Sequence, residues 1–157
     1  MGLSLSVVFS SLAGYFLGAE AISFTTLILL AFGGYFMVGA SNAYNQIIER
    51  DLDALMDRTK NRPIPAGRMT VNTAFIIATS FTILGLITLY VINPKTAMYG
   101  AISIFLYTSV YTPLKTKTSL SVFVGAIPGA IPFMLGWVAA RDSFGIEPGM
   151  LFAIQFF

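Results

Sequence analysis

An amide and two carboxylates stand four residues apart in the most polar segment of the chain. They are Asn45, Glu49 and Asp53. If a helix continues past Asn45, the three side chains share one face, about 40° apart around the axis and about 6 Å apart along it. Oxygen ligands suit a hard cation such as Mg²⁺, which commonly completes its coordination with waters and substrate phosphate oxygens. The spacing therefore predicts a magnesium site for a phosphorylated substrate.

Basic residues follow that face closely enough to bind the phosphate. Arginine offers a planar fork to phosphate oxygens and lysine a point charge; the residues are Arg58, Lys60, Arg62 and Arg68. A second polar segment carries Tyr107, Tyr111, Thr112, Lys115 and Lys117. A plainer interpretation is that the charges only anchor the chain at a membrane surface, where interfacial tyrosines and lysines are common. Spacing alone leaves both interpretations open.

The composition restricts the chemistry further. Of 157 residues, 56% are hydrophobic and 10% are charged, against about 25% charged in soluble domains. The chain has no Cys and no His, which excludes cysteine nucleophiles, histidine bases and zinc sites that need either residue. A net charge of +2 gives no reason to expect nucleic acid as a partner.

Uncharged runs predict an all-α, polytopic transmembrane helical bundle in a lipid bilayer. A span needs about 20 apolar residues. The predicted spans are 3–19, 22–48, 70–92, 96–112 and 119–140, and 149–157 begins a sixth. We expect residues 1–157 to be the N-terminal part of one larger domain and this fragment to be inactive by itself.

The basic residues also predict an orientation. Arg50, Arg58, Lys60, Arg62, Arg68, Lys115 and Lys117 lie in the loops after the second and fourth predicted spans, and only Lys95 and Arg141 lie in the others. Positive residues favour the inner side of the membrane. We therefore expect the N-terminus and both motif-bearing loops to be cytoplasmic, in a bacterial-type cell inner membrane.

The small residues and prolines of the spans have two interpretations. Gly14 and Gly18 form a pair suited to close helix packing. The fifth span is less ordinary, with Gly125, Pro128, Gly129, Pro132 and Gly136 close together. Two prolines four residues apart remove backbone donors, which predicts either the wall of a cavity or a simple packing kink.

At these residues the chain resembles a known family. The run Asn45-xxx-Glu49-xxx-Asp53-xx-Met56-x-Arg58-Thr59-xx-Arg62-Pro63, then Tyr111-Thr-Pro-Leu-Lys115, then Gly125-Ala-Ile-Pro-Gly-Ala-Ile-Pro132-xxx-Gly136-Trp137 is similar to the protohaem IX farnesyltransferases, or haem O synthases. These form a branch of the UbiA-type intramembrane prenyltransferases. The asparagine and acid pattern marks the superfamily, and the continuation after Met56 together with the Gly/Pro-rich span marks the haem branch.

The resemblance implies transfer of a farnesyl group from farnesyl diphosphate to a vinyl group of haem B, a substrate that becomes haem O. It implies Mg²⁺ held by Asn45, Glu49 and Asp53. Arg58, Arg62 and Lys115 then neutralise the diphosphate, with Tyr111 as a candidate donor. Apolar spans rich in Phe are expected to hold the isoprenoid. Association with other haem-biosynthesis or oxidase-assembly proteins is also an expectation for such an enzyme.

Three departures and two alternatives accompany the resemblance. The family's second acidic motif and a histidine-bearing segment do not occur in these 157 residues, and Glu49 stands where the superfamily usually has aspartate. A UbiA-type enzyme with an aromatic quinone precursor as acceptor would keep the same metal site. A membrane transporter or structural protein would use the polar loops for topology alone.

Overall fold

A computed structural model describes residues 2–115 and 117–157, and these residues form helices without any strand. The helices, in chain order, are α1 (Gly2–Gly18), α2 (Phe24–Ile48), α3 (Arg50–Leu55), α4 (Val71–Ile92), α5 (Pro94–Phe105), a π-helix (Leu106–Tyr111), α6 (Thr112–Leu114), α7 (Leu120–Arg141) and α8 (Ile146–Phe156). The predicted all-helical class is confirmed.

The exterior of the bundle is apolar. Phe9 is 73% exposed, Phe24 77% and Val122 76%, which suits hydrocarbon and not water. In the part of the chain that the structure describes, three helices are long and apolar enough to cross a membrane, Phe24–Ile48, Val71–Ile92 and Ser121–Arg141, and Ser4–Gly18 is a shorter apolar helix. The protein is an integral membrane protein, while the count of five spans stays a prediction.

Glycines bring α1 and α7 into backbone contact. A Cβ atom at Gly14 would lie 1.9 Å from the Phe133 carbonyl oxygen, and one at Gly136 would lie 1.8 Å from the Ser11 carbonyl oxygen. At Gly18 a Cβ atom would lie 2.9 Å from the Trp137 ring. The expected close-packing role of Gly14 and Gly18 is therefore confirmed, because only a residue without a side chain fits there.

The two prolines of α7 do not interrupt the helix, which runs from Leu120 to Arg141. Pro132 cannot donate to the carbonyl of Pro128, four residues earlier. Ser103 of α5 donates its hydroxyl to that carbonyl instead, at 3.4 Å. A neighbouring helix thus satisfies the backbone group that the proline leaves unpaired, as hydrocarbon surroundings require.

Hydrogen bonds from polar side chains connect α1, α5 and α7 at the end of the bundle where α7 terminates. Buried Asn93 caps α5 by accepting from Thr96 N at 2.8 Å and donates to the Val138 carbonyl at 3.1 Å. Arg141 donates to the Gly18 carbonyl and to Glu20, both at 2.6 Å. The opposite end of the bundle holds the predicted site residues.

Candidate active site

The predicted helical face exists across the junction of α2 and α3. Glu49 lies between the two helices with φ −92° and ψ 6°, yet the backbone bonds continue, from Glu49 N to Asn45 O at 2.9 Å and from Asp53 N to Glu49 O at 2.8 Å. The four-residue spacing is therefore preserved. Asn45, Glu49 and Asp53 are only 8%, 6% and 3% exposed, which is unusual for carboxylates unless they are paired.

Glu49 is the meeting point of the two polar segments. Its Oε2 accepts from Asn45 Nδ2 at 2.9 Å. Lys115 Nζ lies 3.1 Å from its Oε1 and 3.3 Å from its Oε2. Thr112 of α6 places its Oγ1 3.3 Å from Asn45 Oδ1. The segment with Tyr111 and Lys115 therefore packs directly on the segment with Asn45 and Glu49.

Asp53 has a different cation as its partner. Arg62 Nη1 donates to Asp53 Oδ2 at 2.7 Å, and the Asp53 side chain is 4% exposed against 34% for Arg62. The turn between the two residues is fixed by Thr59, which is 4% exposed and donates to the Asp53 carbonyl at 3.1 Å. This structural role of Thr59 was not predicted. Its position next to Arg58 in the family motif could have indicated that the residue has a role.

The remaining charges of the α3 region face outward. Asp51 pairs with neighbouring Arg50, and Asp57 pairs with Lys60 at 2.7 Å while 98% of its side chain is exposed. Arg58 is also exposed and makes no polar contact with the described site residues. The structure thus groups Asn45, Glu49 and Lys115, and pairs Arg62 with Asp53, whereas Arg58 stands apart.

An apolar cavity of about 390 Å³ begins beside this polar cluster. Tyr107, Tyr111 and Asn42 line it near the site residues. Its other lining residues are mostly aliphatic side chains and glycines of five helices, among them Leu30, Met37, Leu89, Gly100, Ile104 and Leu135. The volume is in the range of small-molecule pockets, about 300–1,000 Å³.

The cavity decides between the two interpretations of the Gly/Pro-rich span. Gly125, Pro128, Gly129 and Pro132 all line it, so this face of α7 is a cavity wall. The described residues that line the cavity include no phenylalanine, and the expectation that the Phe-rich apolar spans hold the isoprenoid stays a prediction. The phenylalanines lie largely on the outside, where bulky rings can contact lipid; Phe32 and Phe105 are examples, 57% and 60% exposed.

The donor set fits a hard cation only in combination with other ligands. Across residues 2–115 and 117–157 there is no group of three His, Cys, Asp or Glu side chains that could hold a metal. Two buried carboxylates and one amide supply oxygens without nitrogen or sulfur ligands, which suits Mg²⁺ completed by water and phosphate. Asn45, Glu49 and Asp53 therefore fit the group predicted for them, and their ligand role stays a prediction.

The chain belongs to the UbiA prenyltransferase family, whose model matches residues 7–157. It is 79% identical over its whole length to the protoheme IX farnesyltransferase of Christiangramia forsetii, covering 52% of that protein. It is 76% identical to the protoheme IX farnesyltransferase of Flavobacterium psychrophilum over 99% of this chain and 53% of that protein. The chain thus spans about half the length of these curated relatives.

Solved structures show the same fold at low sequence identity. The chain matches a structure described as digeranylgeranylglyceryl phosphate synthase with a TM-score of 0.87 at 20% identity, over 99% of this chain and 55% of that one. A UbiA homologue from Archaeoglobus fulgidus bound to DMAPP and Mg²⁺ matches with a TM-score of 0.79, also at 20% identity, over 98% of this chain and 57% of that one. The helical arrangement is therefore that of UbiA proteins.

Proposed function

We propose that the full-length protein transfers the farnesyl group of farnesyl diphosphate to a vinyl group of haem B, with release of diphosphate. Water then adds to the cation formed on the former vinyl group and loses a proton, which completes the hydroxyethylfarnesyl group of haem O. The observation that carries the proposal is the closeness of the polar cluster to the apolar cavity: Thr112 contacts both Asn45 and the Tyr107 carbonyl, and Tyr107 lines the cavity. A prenyl diphosphate has the same two parts, a highly charged head and an apolar tail. The high identity to relatives named protoheme IX farnesyltransferase supports the choice of reaction.

In this proposal the head group binds where carboxylates and cations already meet. Asn45, Glu49 and Asp53 would hold Mg²⁺, which would supply a Lewis acid to neutralise charge on the departing diphosphate. Arg62 and Lys115, which are partly exposed and pair with Asp53 and Glu49, would supply positive charge to the diphosphate oxygens. Arg58, on the exposed side, contacts the outer phosphate, and Tyr111 donates from the cavity side.

The chain's own residues also protect the reacting carbon. When the diphosphate departs, the allylic carbon becomes positively charged and is open to capture by water. The aliphatic walls of the cavity, including Leu30, Ile104 and Leu135, exclude water and so preserve the cation for the vinyl group of the acceptor. We propose that this chemistry occurs at the cytoplasmic side of a bacterial inner membrane.

The test is a comparison of Asp53→Asn with Asp57→Asn in the full-length protein. Both changes remove one carboxylate charge from the same region, but Asp53 is buried in the site and Asp57 is exposed. We expect Asp53→Asn to lose farnesyl transfer to haem B, with membrane insertion unchanged, and Asp57→Asn to keep it. Wild-type transfer by Asp53→Asn would refute the metal site, and transfer by the unmodified enzyme to a quinone precursor but not to haem B would refute the acceptor.

A further inference from the structure

The Asn45 amide is held between two partners that differ in chemical character. On one side Nδ2 donates to Glu49 Oε2 at 2.9 Å, and on the other Oδ1 lies 3.3 Å from Thr112 Oγ1. Both neighbours are buried, Thr112 at 1% and Glu49 at 6% exposed. The two orientations of an amide have almost the same shape, so its hydrogen-bond partners decide which one is adopted.

Thr112 has one hydroxyl proton and two acceptors within reach of it. The Tyr107 carbonyl lies 2.8 Å from Thr112 Oγ1, which is closer than Asn45 Oδ1 at 3.3 Å. The π-helix makes this approach possible, since Tyr107 O also accepts the backbone N–H of Thr112, five residues later. A carbonyl has two lone pairs and can accept both bonds. When the proton goes to Tyr107 O, Thr112 Oγ1 presents only lone pairs to Asn45.

A lone pair on Thr112 favours the other orientation of the amide. Turned by half a rotation, Asn45 donates from Nδ2 to Thr112 Oγ1 and presents Oδ1 to Glu49 Oε2. Two acceptor oxygens facing each other repel unless a cation lies between them. In an octahedral Mg²⁺ site with bonds of about 2.05 Å, adjacent ligand oxygens are about 2.9 Å apart. The amide atom that faces Glu49 already stands at 2.9 Å from its Oε2.

Resting on the proposed magnesium site, we propose that Thr112 is a positioning residue that selects the cation-binding orientation of Asn45. Its hydroxyl donates to the Tyr107 carbonyl and accepts from Asn45 Nδ2, which turns Oδ1 toward Glu49. Without the cation, the amide takes the orientation seen in the structure and donates to Glu49. Thr112 thereby sets the affinity for the metal without touching it.

The experiment is a titration of the full-length protein with Mn²⁺, a spectroscopic substitute for Mg²⁺, in the presence of the unreactive analogue farnesyl thiodiphosphate. Free Mn²⁺ is measured by electron paramagnetic resonance, so the readout is binding and not turnover. Thr112→Val removes the hydroxyl and keeps the shape, and we expect it to weaken Mn²⁺ binding about 10–100-fold, as the loss of a ligand's orienting partner typically does. Thr112→Ser restores the hydroxyl and is expected to bind as the wild type does.

Thr108→Val is the matched control. Thr108 lies four residues earlier, on the π-helix, and donates to the Ile104 carbonyl at 2.8 Å, so its change removes a comparable hydroxyl that is not bonded to Asn45. We expect unchanged Mn²⁺ binding. Weakening by Thr108→Val as large as that by Thr112→Val, or wild-type binding by Thr112→Val, would overturn the proposal.

A second variant separates orientation from general support of the fold. In Asn45→Asp both side-chain atoms are oxygens, so no orientation has to be selected, and adding Thr112→Val should weaken Mn²⁺ binding no further. An equal loss in both backgrounds would overturn the proposal. If Thr112→Val does not fold, Thr112→Cys, which forms only weak hydrogen bonds, replaces it under the same criteria. Absence of Mn²⁺ binding by the wild type would refute the metal site itself, whereas binding that ignores residue 112 refutes only its positioning role.

Discussion

Glu49 and Lys115 are separated by 66 residues in the chain, yet Lys115 Nζ lies 3.1 Å from Glu49 Oε1. With the pair of Arg62 and Asp53 at 2.7 Å, this contact balances two buried carboxylates with two partly exposed cations. The site is thus electrically neutral before a ligand arrives. Either pair can open when a dication and a diphosphate supply the opposite charges together.

Lys115→Met should therefore weaken binding of the diphosphate. The lysine is 47% exposed but the Glu49 side chain only 8%, so loss of the pair leaves a buried carboxylate with the Asn45 amide as its donor and lowers the stability as well. We expect the KM for farnesyl diphosphate to rise about 10-fold, the equivalent of about 1.4 kcal/mol. Lys117→Met, which removes an exposed charge two residues away, is the control. Equal KM values for the two variants would contradict a direct role for Lys115.

Chelation of divalent cations should abolish farnesyl transfer and leave the thermal stability nearly unchanged. The reason is that Glu49 and Asp53 keep Lys115 and Arg62 as partners after the metal leaves. We expect the melting temperature to fall by less than about 4 °C, the equivalent of about 1 kcal/mol. Arg62→Met is the informative comparison, because it leaves Asp53 with no cation once the metal is removed. A large fall for the wild type would mean that the metal is structural.

Gly136→Ala should destabilise the bundle. The new Cβ would lie 1.8 Å from the Ser11 carbonyl and 2.7 Å from Tyr15 N, so α1 has to move away from α7. Overpacking of this kind typically costs about 1–3 kcal/mol. Gly149→Ala is the control, since a Cβ there meets nothing within 4 Å. Thermal inactivation of the purified proteins measures the difference. Identical inactivation curves would show that α1 can move away from α7 without loss of stability.

Gly129→Val should shorten the cavity and change the preferred chain length of the substrate. Gly129 lines the cavity, and its missing Cβ would meet nothing within 4 Å, so the added atoms occupy ligand space without displacing protein. We expect the ratio of kcat/KM for farnesyl over geranyl diphosphate to fall about 10-fold or more. Gly125→Val gives the contrast, because its Cβ would lie 2.6 Å from the Tyr111 ring and should impair both substrates. If the ratio of kcat/KM for the two substrates were unchanged in Gly129→Val, the isoprenoid tail would not bind beside Gly129.

Much of the fold could be predicted because hydrocarbon restricts the possible structures severely. Uncharged runs locate the helices, since a charge in the apolar phase is costly, and the observed α2 and α4 end at Ile48 and Ile92, where the predicted spans 22–48 and 70–92 end. The π-helix at Leu106–Tyr111 was not predictable, because it depends on how α5 and α7 meet. The outward position of Phe32 and Phe105 likewise depends on which face of a helix its neighbours cover.

The residues of the site could be predicted from the sequence, whereas the ion pairs that they form could not. Four-residue spacing places Asn45, Glu49 and Asp53 on one face whatever the tertiary structure, because that follows from the helix alone. Which cation meets which carboxylate depends on the path of the loop from Met56 to Thr70, which carries Arg62, and on how the segment with Lys115 packs on α2; the sequence specifies neither. The buried role of Thr59 and the exposure of Arg58 both follow from that loop.

The contact between α1 and α7 also has a consequence for biosynthesis. Arg141 and the Gly18 carbonyl to which it donates are 123 residues apart, so at about 5–20 residues per second the ribosome needs about 6–25 s to deliver the second partner after the first. During that interval the glycine face of α1 has no α7 to cover it. The nascent chain must therefore keep α1 available inside the bilayer, against lipid or an insertion factor, until α7 emerges.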